Sequence, residues 1–230
     1  MIWRLSEASP NSGSAFSIVW PEETGLEAAL DCADFLNAQS SFHVELIVQT
    51  GDTSIGTVEL TRIAAERNWK VRAVAMAGST AGIRLLGALR HCRGDYIAIW
   101  PSRGRLRPQT FDVVARTFRQ MPDMGGICCP GFLVHAKDAT YADVDIVSLL
   151  FTTYRPFLSA GFINRRALVA CGLDKDDWHE AALDLDIWCR LATSRGIYTL
   201  DEDLVVSSDQ PPPWDRLDRD VELALDAPLG

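Results

Sequence analysis

At 230 residues, with 47% apolar and 23% charged side chains, the chain has the proportions of one globular domain, with at most a small appendage and a sizeable core. A net charge of −9 argues against a dedicated nucleic-acid binder, and no apolar run is long enough to span a bilayer. The N-terminal Met-Ile-Trp-Arg-Leu-Ser-Glu lacks a basic region followed by an apolar stretch, so no signal peptide is expected. The six cysteines are scattered, with no C-x-x-C pair, and read as buried reduced thiols of a cytoplasmic protein. Neither they nor the four histidines show the spacing of a zinc site.

Residues 1–15, with Ser, Asn, Gly and Pro, read as a loose leader. The apolar stretch 16–20 is a short strand that Pro21 stops. Thr24-Gly-Leu-Glu27 is a capping box; it opens a helix whose stripe is Leu26, Ala29, Leu30, Ala33 and Leu36. A second strand at 44–48 runs into a turn-rich segment, 49–56. A helix over about 57–67 turns Leu60, Ile63 and Ala64 inward, and a third strand follows at 71–75. Gly78-Ser-Thr-Ala-Gly82 leads into a helix ending near Cys92, and 96–100 is a fourth strand. Pro108 fits the first turn of the next helix, with Phe111, Val114, Ala115 and Phe118 as its stripe. This regular alternation predicts an α/β fold: a doubly wound, Rossmann-like, mostly parallel sheet flanked by helices.

Beyond Gly125 the pattern loosens. Ile127 and residues 132–135 read as strand, and 136–160 are apolar and aromatic without a clear period. A short helix covers 165–171 and a longer one about 179–194. Short strands follow near 197–200 and 204–206. Residues 207–230 read as a Pro-rich linker and a short helical tail, a candidate surface for a protein partner; its alternating acids disfavour membrane binding.

Two features carry chemistry. The first is the turn after the fourth strand, residues 100–108, the kind of place where a parallel α/β sheet binds its ligand. It offers Arg103, Arg105 and Arg107 and no carboxylate. Residues 84–119 hold eight arginines against two acids, so this window is +6 and leaves −15 for the rest of the chain. A cationic island in an acidic chain suits an anionic ligand such as a phosphate or diphosphate. Arg90, Arg93, Arg116 and Arg119 read instead as coating helix faces.

The second feature is Asp184. Positions 184, 187, 188 and 191 share one helix face, and the last three are Ile187, Trp188 and Leu191. A carboxylate on such a stripe is costly unless it is paired, capped or facing a cleft. Two readings stand: a charge that complements the helix N-terminus, or a general base at the rim of a cleft. Asp186, four residues before Arg190, reads as an ordinary surface pair.

Taken in order, these blocks resemble the family 2 glycosyltransferases of the GT-A fold, which move a sugar from a nucleotide-diphosphate donor to an acceptor hydroxyl. Ser17-Ile-Val-Trp-Pro21 is similar to the family's opening strand and proline. Residues 45–57, Glu-Leu-Ile-Val-Gln-Thr-Gly-Asp-Thr-Ser-Ile-Gly-Thr, resemble its strand, acidic turn and helix start. Gly94-Asp-Tyr-Ile-Ala-Ile, leading to Arg105-Leu-Arg-Pro108, resembles its central strand and following helix. Asn164-Arg-Arg-Ala-Leu and Cys171-Gly-Leu-Asp174 resemble a block ahead of the base-bearing helix, and Asp184-Leu-Asp-Ile-Trp-Cys-Arg-Leu191 resembles the acidic helix motif. The resemblance spans roughly residues 16–206, with a nucleotide-sugar-binding half at 16–120 and an acceptor half at 121–206. It implies that Asp184 is the catalytic base of an inverting transfer, that Pro21 and Glu23 meet the nucleotide, and that the setting is polysaccharide biosynthesis.

The chain departs from the family's pattern in its aspartates. The adjacent aspartates that hold base and ribose are here Thr50 and Gly51, with Asp52 one step late; Asp52 either substitutes or forms an Asx turn. The Asp-x-Asp that binds a divalent cation under the diphosphate is here Pro101 and Arg103, which offer no oxygen ligand. A block that usually holds an Arg-Asn pair reads Arg84-Leu-Leu. No cofactor, Mg or Mn is therefore expected. One reading is a metal-independent transferase in which Arg103, helped by Arg105 or Arg84, neutralises the leaving diphosphate. The other is a catalytically inactive relative, a nucleotide-sugar or glycan-binding or partner module. A nucleotidyltransferase on a related fold is disfavoured, because Pro21-Glu-Glu-Thr stands where a glycine-rich phosphate loop would follow the first strand.

Overall fold

The computed structural model describes residues 15–20, 26–38, 42–50, 55–66, 71–75, 80–100, 104–128, 161–175, 177–179, 183–200 and 204–207. β1 (Ala15–Trp20), α1 (Leu26–Asn37), β2 (His43–Thr50), α2 (Ile55–Glu66), β3 (Val71–Ala75), α3 (Ala81–His91) and β4 (Tyr96–Ile99) alternate as expected. After them come β5 (Gly104–Leu106), α4 (Thr110–Gln120), β6 (Gly126–Cys128), β7 (Gly161–Asn164), α5 (Arg165–Ala170), α6 (Leu183–Ser194), β8 (Ile197–Thr199) and β9 (Val205–Ser207). Thr24 and Gly25 of the capping box, the strand expected at 132–135, residues 136–160 and the expected helical tail lie outside the described residues, and of Leu26 and Glu27 only the backbone, the start of α1, is described.

Among the described residues, seven strands form one sheet in the order β3-β2-β1-β4-β7-β6-β8. All are parallel except β7, which runs against both of its neighbours, β4 and β6. β1 lies between β2 and β4, and Phe16 through Trp20 are buried on both faces, which is why this strand reads as an apolar run broken only by Ser17 rather than as an alternating one. Its alternate residues feed two layers. Phe16, Ile18 and Trp20 pack with Ala33 and Leu36 of α1 and with Phe111, Val114 and Phe118 of α4. Val19, with Ile97 and Ile163, packs against Leu89 of α3, Leu168 of α5 and Ile187, Trp188 and Leu191 of α6.

The second layer depends on a close approach. Trp188 is fully buried and lies over β6 and β7 where these strands carry Gly126 and Gly161. A Cβ on Gly126 would stand 2.6 Å from Trp188 Cζ3, and one on Gly161 would stand 2.7 Å from Cζ2 and Cη2 and 2.8 Å from the Ile127 carbonyl oxygen. The two glycines are the seat of the indole, and the seat fixes how α6 lies on the sheet. At the end of α5, Gly172 takes φ +95, and the Leu173 N–H reaches back to the Leu168 carbonyl, a Schellman closure.

The structure corrects several sequence expectations. Residues 104–106, expected as part of a turn, form β5, because they pair antiparallel with Val205–Ser207, about a hundred residues away in sequence. The helix expected to start at Pro108 starts at Thr110: the Thr110 hydroxyl (3.0 Å) and the Arg107 N–H (2.9 Å) both donate to the Leu204 carbonyl and hold 107–110 against the approach to β9. β7 carries no sequence signal, since Gly-Phe-Ile-Asn is too short to show a period. The long helix starts at Leu183 rather than His179, whose N–H donates to the Asp186 carboxylate at 3.0 Å.

Candidate active site

The sheet order reverses direction between β1 and β4, so the carboxyl ends of these two strands flank the crevice where an open α/β sheet takes its ligand. The last residue of β1 is Trp20, and Trp100 directly follows β4, its N–H donating to the Val19 carbonyl at 2.8 Å. The two indoles lie 6.2 Å apart between centroids, and Phe35 of α1 packs edge-on against Trp100 at 5.6 Å. Both tryptophans are buried, so the end of the crevice toward α1 and α4 rests on an apolar floor.

Strand directions place Asp184 at this same edge. β8 is parallel to β6, and β7 is antiparallel to both β6 and β4, so β8 points the same way as β4. α6 ends just before β8 and returns along the sheet, so its N-terminus stands at the carboxyl edge. Asp184 lies in the first turn of α6, half-buried, beside the buried Leu183, Ile187 and Trp188. α3 joins parallel strands β3 and β4 and so also starts at this edge. Its cap is Thr80, whose hydroxyl accepts the Ile83 N–H at 3.3 Å, and Arg84 sits half-buried in its first turn. Arg84 and Asp184 thus share one edge and one face of the sheet, the face that carries α3 and α6.

The structure describes the other expected site residues only in part. Arg105 lies in β5 opposite Val206, and only its backbone is described. Pro21, Glu23, Asp52, Pro101 and Arg103 lie outside the described residues; their described chain neighbours Trp20, Thr50 and Trp100 end or follow β1, β2 and β4. Pro and Arg side chains carry no oxygen, so this donor set does not fit a hard divalent cation. Among the described residues, no three His, Cys, Asp or Glu side chains are placed to hold a metal ion.

Sequence reasoning missed a polar network behind Asp184. Asp186 and Arg190 are not an ordinary surface pair: their side chains are only 16% and 24% exposed. Arg190 Nε and Nη2 donate to the two Asp186 oxygens at 2.9 and 3.2 Å. Nη1 and Nη2 also reach the Asp177 carboxylate at 3.0 Å and the Asp177 carbonyl at 2.8 Å. The guanidinium lies 4.0 Å over the ring of Trp178, whose Nε1 donates to the Gly172 carbonyl at 3.0 Å. Burial works to raise the Asp186 pKa, but the Arg190 hydrogen bonds, the His179 N–H and the Arg190 charge outweigh it and hold the carboxyl below its ordinary value. The spacing from Asp186 to Arg190 is legible in the sequence; the contribution of Asp177 and Trp178 is not.

Arg90 does more than coat a helix, since it donates to the carbonyls of Leu173 (2.9 Å) and Lys175 (2.6 Å). Arg116 and Arg119 are exposed on α4. Cys32, Cys92 and Cys128 are buried and Cys171 and Cys189 half-buried, all as free thiols, and burial pushes the Cys32 thiol well above its ordinary pKa. No described helix is long and apolar enough to cross a membrane.

No protein-family model matches the chain, and no curated protein does. Solved structures do. TarS residues 1–349 from S. aureus, in complex with UDP-GlcNAc, superposes with a TM-score of 0.61 at 14% identity over 86% of this chain and 59% of that one. A mannosyltransferase from Pyrobaculum calidifontis, in complex with GDP-Man and Mn2+, gives 0.59 at 14% identity over 94% and 63%. Glucosyl-3-phosphoglycerate synthase from Mycobacterium tuberculosis, with Mn2+, UDP and phosphoglyceric acid, gives 0.59 at 16% identity over 93% and 78%. The chain spans about 60% of the length of the TarS fragment. The fold is that of the GT-A glycosyltransferases, and at these identities the likeness is one of fold.

Proposed function

We propose that the chain is an inverting glycosyltransferase that takes its sugar from a nucleotide-diphosphate donor without a divalent cation. The observation that carries this reading is the position of Asp184: a half-buried carboxylate on an otherwise apolar helix stripe, at the carboxyl edge of a GT-A sheet. Asp184 takes the proton of the acceptor hydroxyl as that oxygen forms its bond to the anomeric carbon. The bond from that carbon to the diphosphate breaks on the opposite side, and the nucleoside diphosphate leaves. Arg103, with Arg105 or Arg84, meets the charge that develops on the leaving group; a guanidinium stays charged and grips phosphate through two hydrogen bonds. Pro21, Glu23 and Asp52 are assigned to the nucleotide end.

A second reading, a catalytically inactive donor-binding or partner module, is favoured by the replacement of both aspartate motifs at Thr50–Gly51 and Pro101–Arg103. One experiment separates the two. Release of UDP, GDP or dTDP from a panel of nucleotide sugars is followed with and without EDTA, beside calorimetric donor binding. Turnover that survives EDTA, falls about 10²–10⁴-fold in Asp184→Asn and is lost in Arg103→Ala supports the transferase. Turnover that requires added manganese overturns the arginine role, and donor binding without turnover leaves the binding module.

A further inference from the structure

We propose that Arg190 is a positioning residue for the Asp184 carboxylate, acting through a latch that ties the approach to α6 onto the helix itself. The inference rests on the transferase reading of Asp184. The hydrogen-bonding atoms of this one guanidinium are all engaged. Nε holds Asp186 Oδ1, Nη2 holds Asp186 Oδ2 and the Asp177 carbonyl, and Nη1 holds the Asp177 carboxylate, with a longer 3.5 Å contact to the Cys171 carbonyl. Its face is stacked on Trp178. Asp186 in turn accepts the His179 N–H through Oδ2. The chain is therefore pinned to α6 at Asp177 and His179, and only residues 180–182 separate the second pin from Leu183, which is buried in the core. Asp184 follows directly, so the latch and the core residues Leu183 and Ile187 bracket it on both sides.

The chemistry of the latch explains why arginine stands there. A lysine offers a point charge on a flexible stem and cannot serve two carboxylates, a carbonyl and an aromatic face from one rigid plane. A helix frays at its terminal turns rather than in its interior, and in the first turn the N–H groups have no intrahelical partner. Holding the preceding chain against the helix removes that freedom at the residue whose carboxylate must meet an acceptor hydroxyl within hydrogen-bond reach. Misplacement by about 1 Å in such an arrangement costs on the order of a hundredfold in rate.

The test uses the full chain and the variants Arg190→Lys and Asp177→Asn, with amide hydrogen exchange over 177–184, calorimetric donor binding, and turnover on the nucleotide-sugar panel well below the melting temperature. The expected result for Arg190→Lys is at least tenfold faster exchange at His179, a donor Kd within about twofold, and kcat lowered by roughly ten- to hundredfold. Asp177→Asn, which keeps the Asp186 pair, is expected to lose less in both exchange and kcat. A variant with the His179 amide released and kcat within twofold of the unaltered protein overturns the positioning role, as does unchanged exchange at His179. Absence of turnover by the unaltered protein on every donor overturns the transferase reading, and the positioning role falls with it. Turnover by the unaltered protein with an unaffected Arg190→Lys sinks the positioning role alone.

Discussion

Replacing Gly126 by alanine asks whether the seat of Trp188 holds α6 in place. The new methyl would lie 2.6 Å from Trp188 Cζ3, with the Phe162 carbonyl oxygen at an ordinary 3.4 Å. Carbon atoms pack at about 3.5–4.0 Å, so the overlap is about 1 Å and falls almost entirely on the indole. Overpacking of this kind costs about 1–3 kcal/mol, and for a chain of this size each kcal/mol lowers Tm by roughly 2–4 °C. Gly161→Ala differs in a way that makes the pair informative. Its methyl meets the same ring at 2.7 Å but also the Ile127 carbonyl at 2.8 Å, which belongs to the β6–β7 ladder and has nowhere to go. Trp188→Leu clears the ring from both sites. In a double-mutant cycle read by urea unfolding, Gly126→Ala is expected to lose most of its cost in the Trp188→Leu background, with a coupling of about 1 kcal/mol or more. Gly161→Ala keeps most of its cost in that background. If Gly126→Ala and Trp188→Leu add to within about 0.5 kcal/mol, the indole is not what the glycine makes room for.

Two further outcomes are expected. Ser17 is fully buried in β1; its hydroxyl accepts the N–H groups of Gly94 (2.8 Å) and Arg93 (3.1 Å) and donates to Glu45 at 2.5 Å. Arg93 keeps a second acceptor in Glu45, so Ser17→Ala orphans the buried Gly94 N–H and should destabilise by about 1–3 kcal/mol; a change in urea midpoint worth under about 0.5 kcal/mol would contradict this. The Asp186 pKa is lower folded than unfolded, so its contribution is fully present above the unfolded value, about 4, and is lost as pH falls through the folded value. The stability gap between the unaltered protein and Asp186→Asn should therefore be open at pH 7 and narrow below about pH 4, and a gap constant down to pH 2.5 would show that the pairing with Arg190 does not stabilise the fold.

Much of the fold and part of the site were legible in the order of residues, because local physics speaks through local pattern. Short apolar runs mark β1–β4, apolar stripes mark α1, α2 and α4, and short β-α spacing implies parallel crossovers. Asp184 stands out because a charge on the stripe of Ile187, Trp188 and Leu191 needs an explanation. The same sequence shows, without any coordinates, that Pro101 and Arg103 bring no carboxylate to the turn after β4. What the pattern could not show was settled by partners distant in the chain. β5 is a strand only because residues 205–207 pair with it, and β7 lies antiparallel between β4 and β6 although its four residues carry no period. The need for glycine at 126 and 161 shows only when Trp188 is laid across them. Asp186 and Arg190 look like a solvent-exposed helix pair until Asp177, Trp178 and His179 close over them. Composition and periodicity determine which face of each element is buried; which elements meet, and therefore what stands beside Asp184, is decided by packing between residues that the sequence keeps far apart.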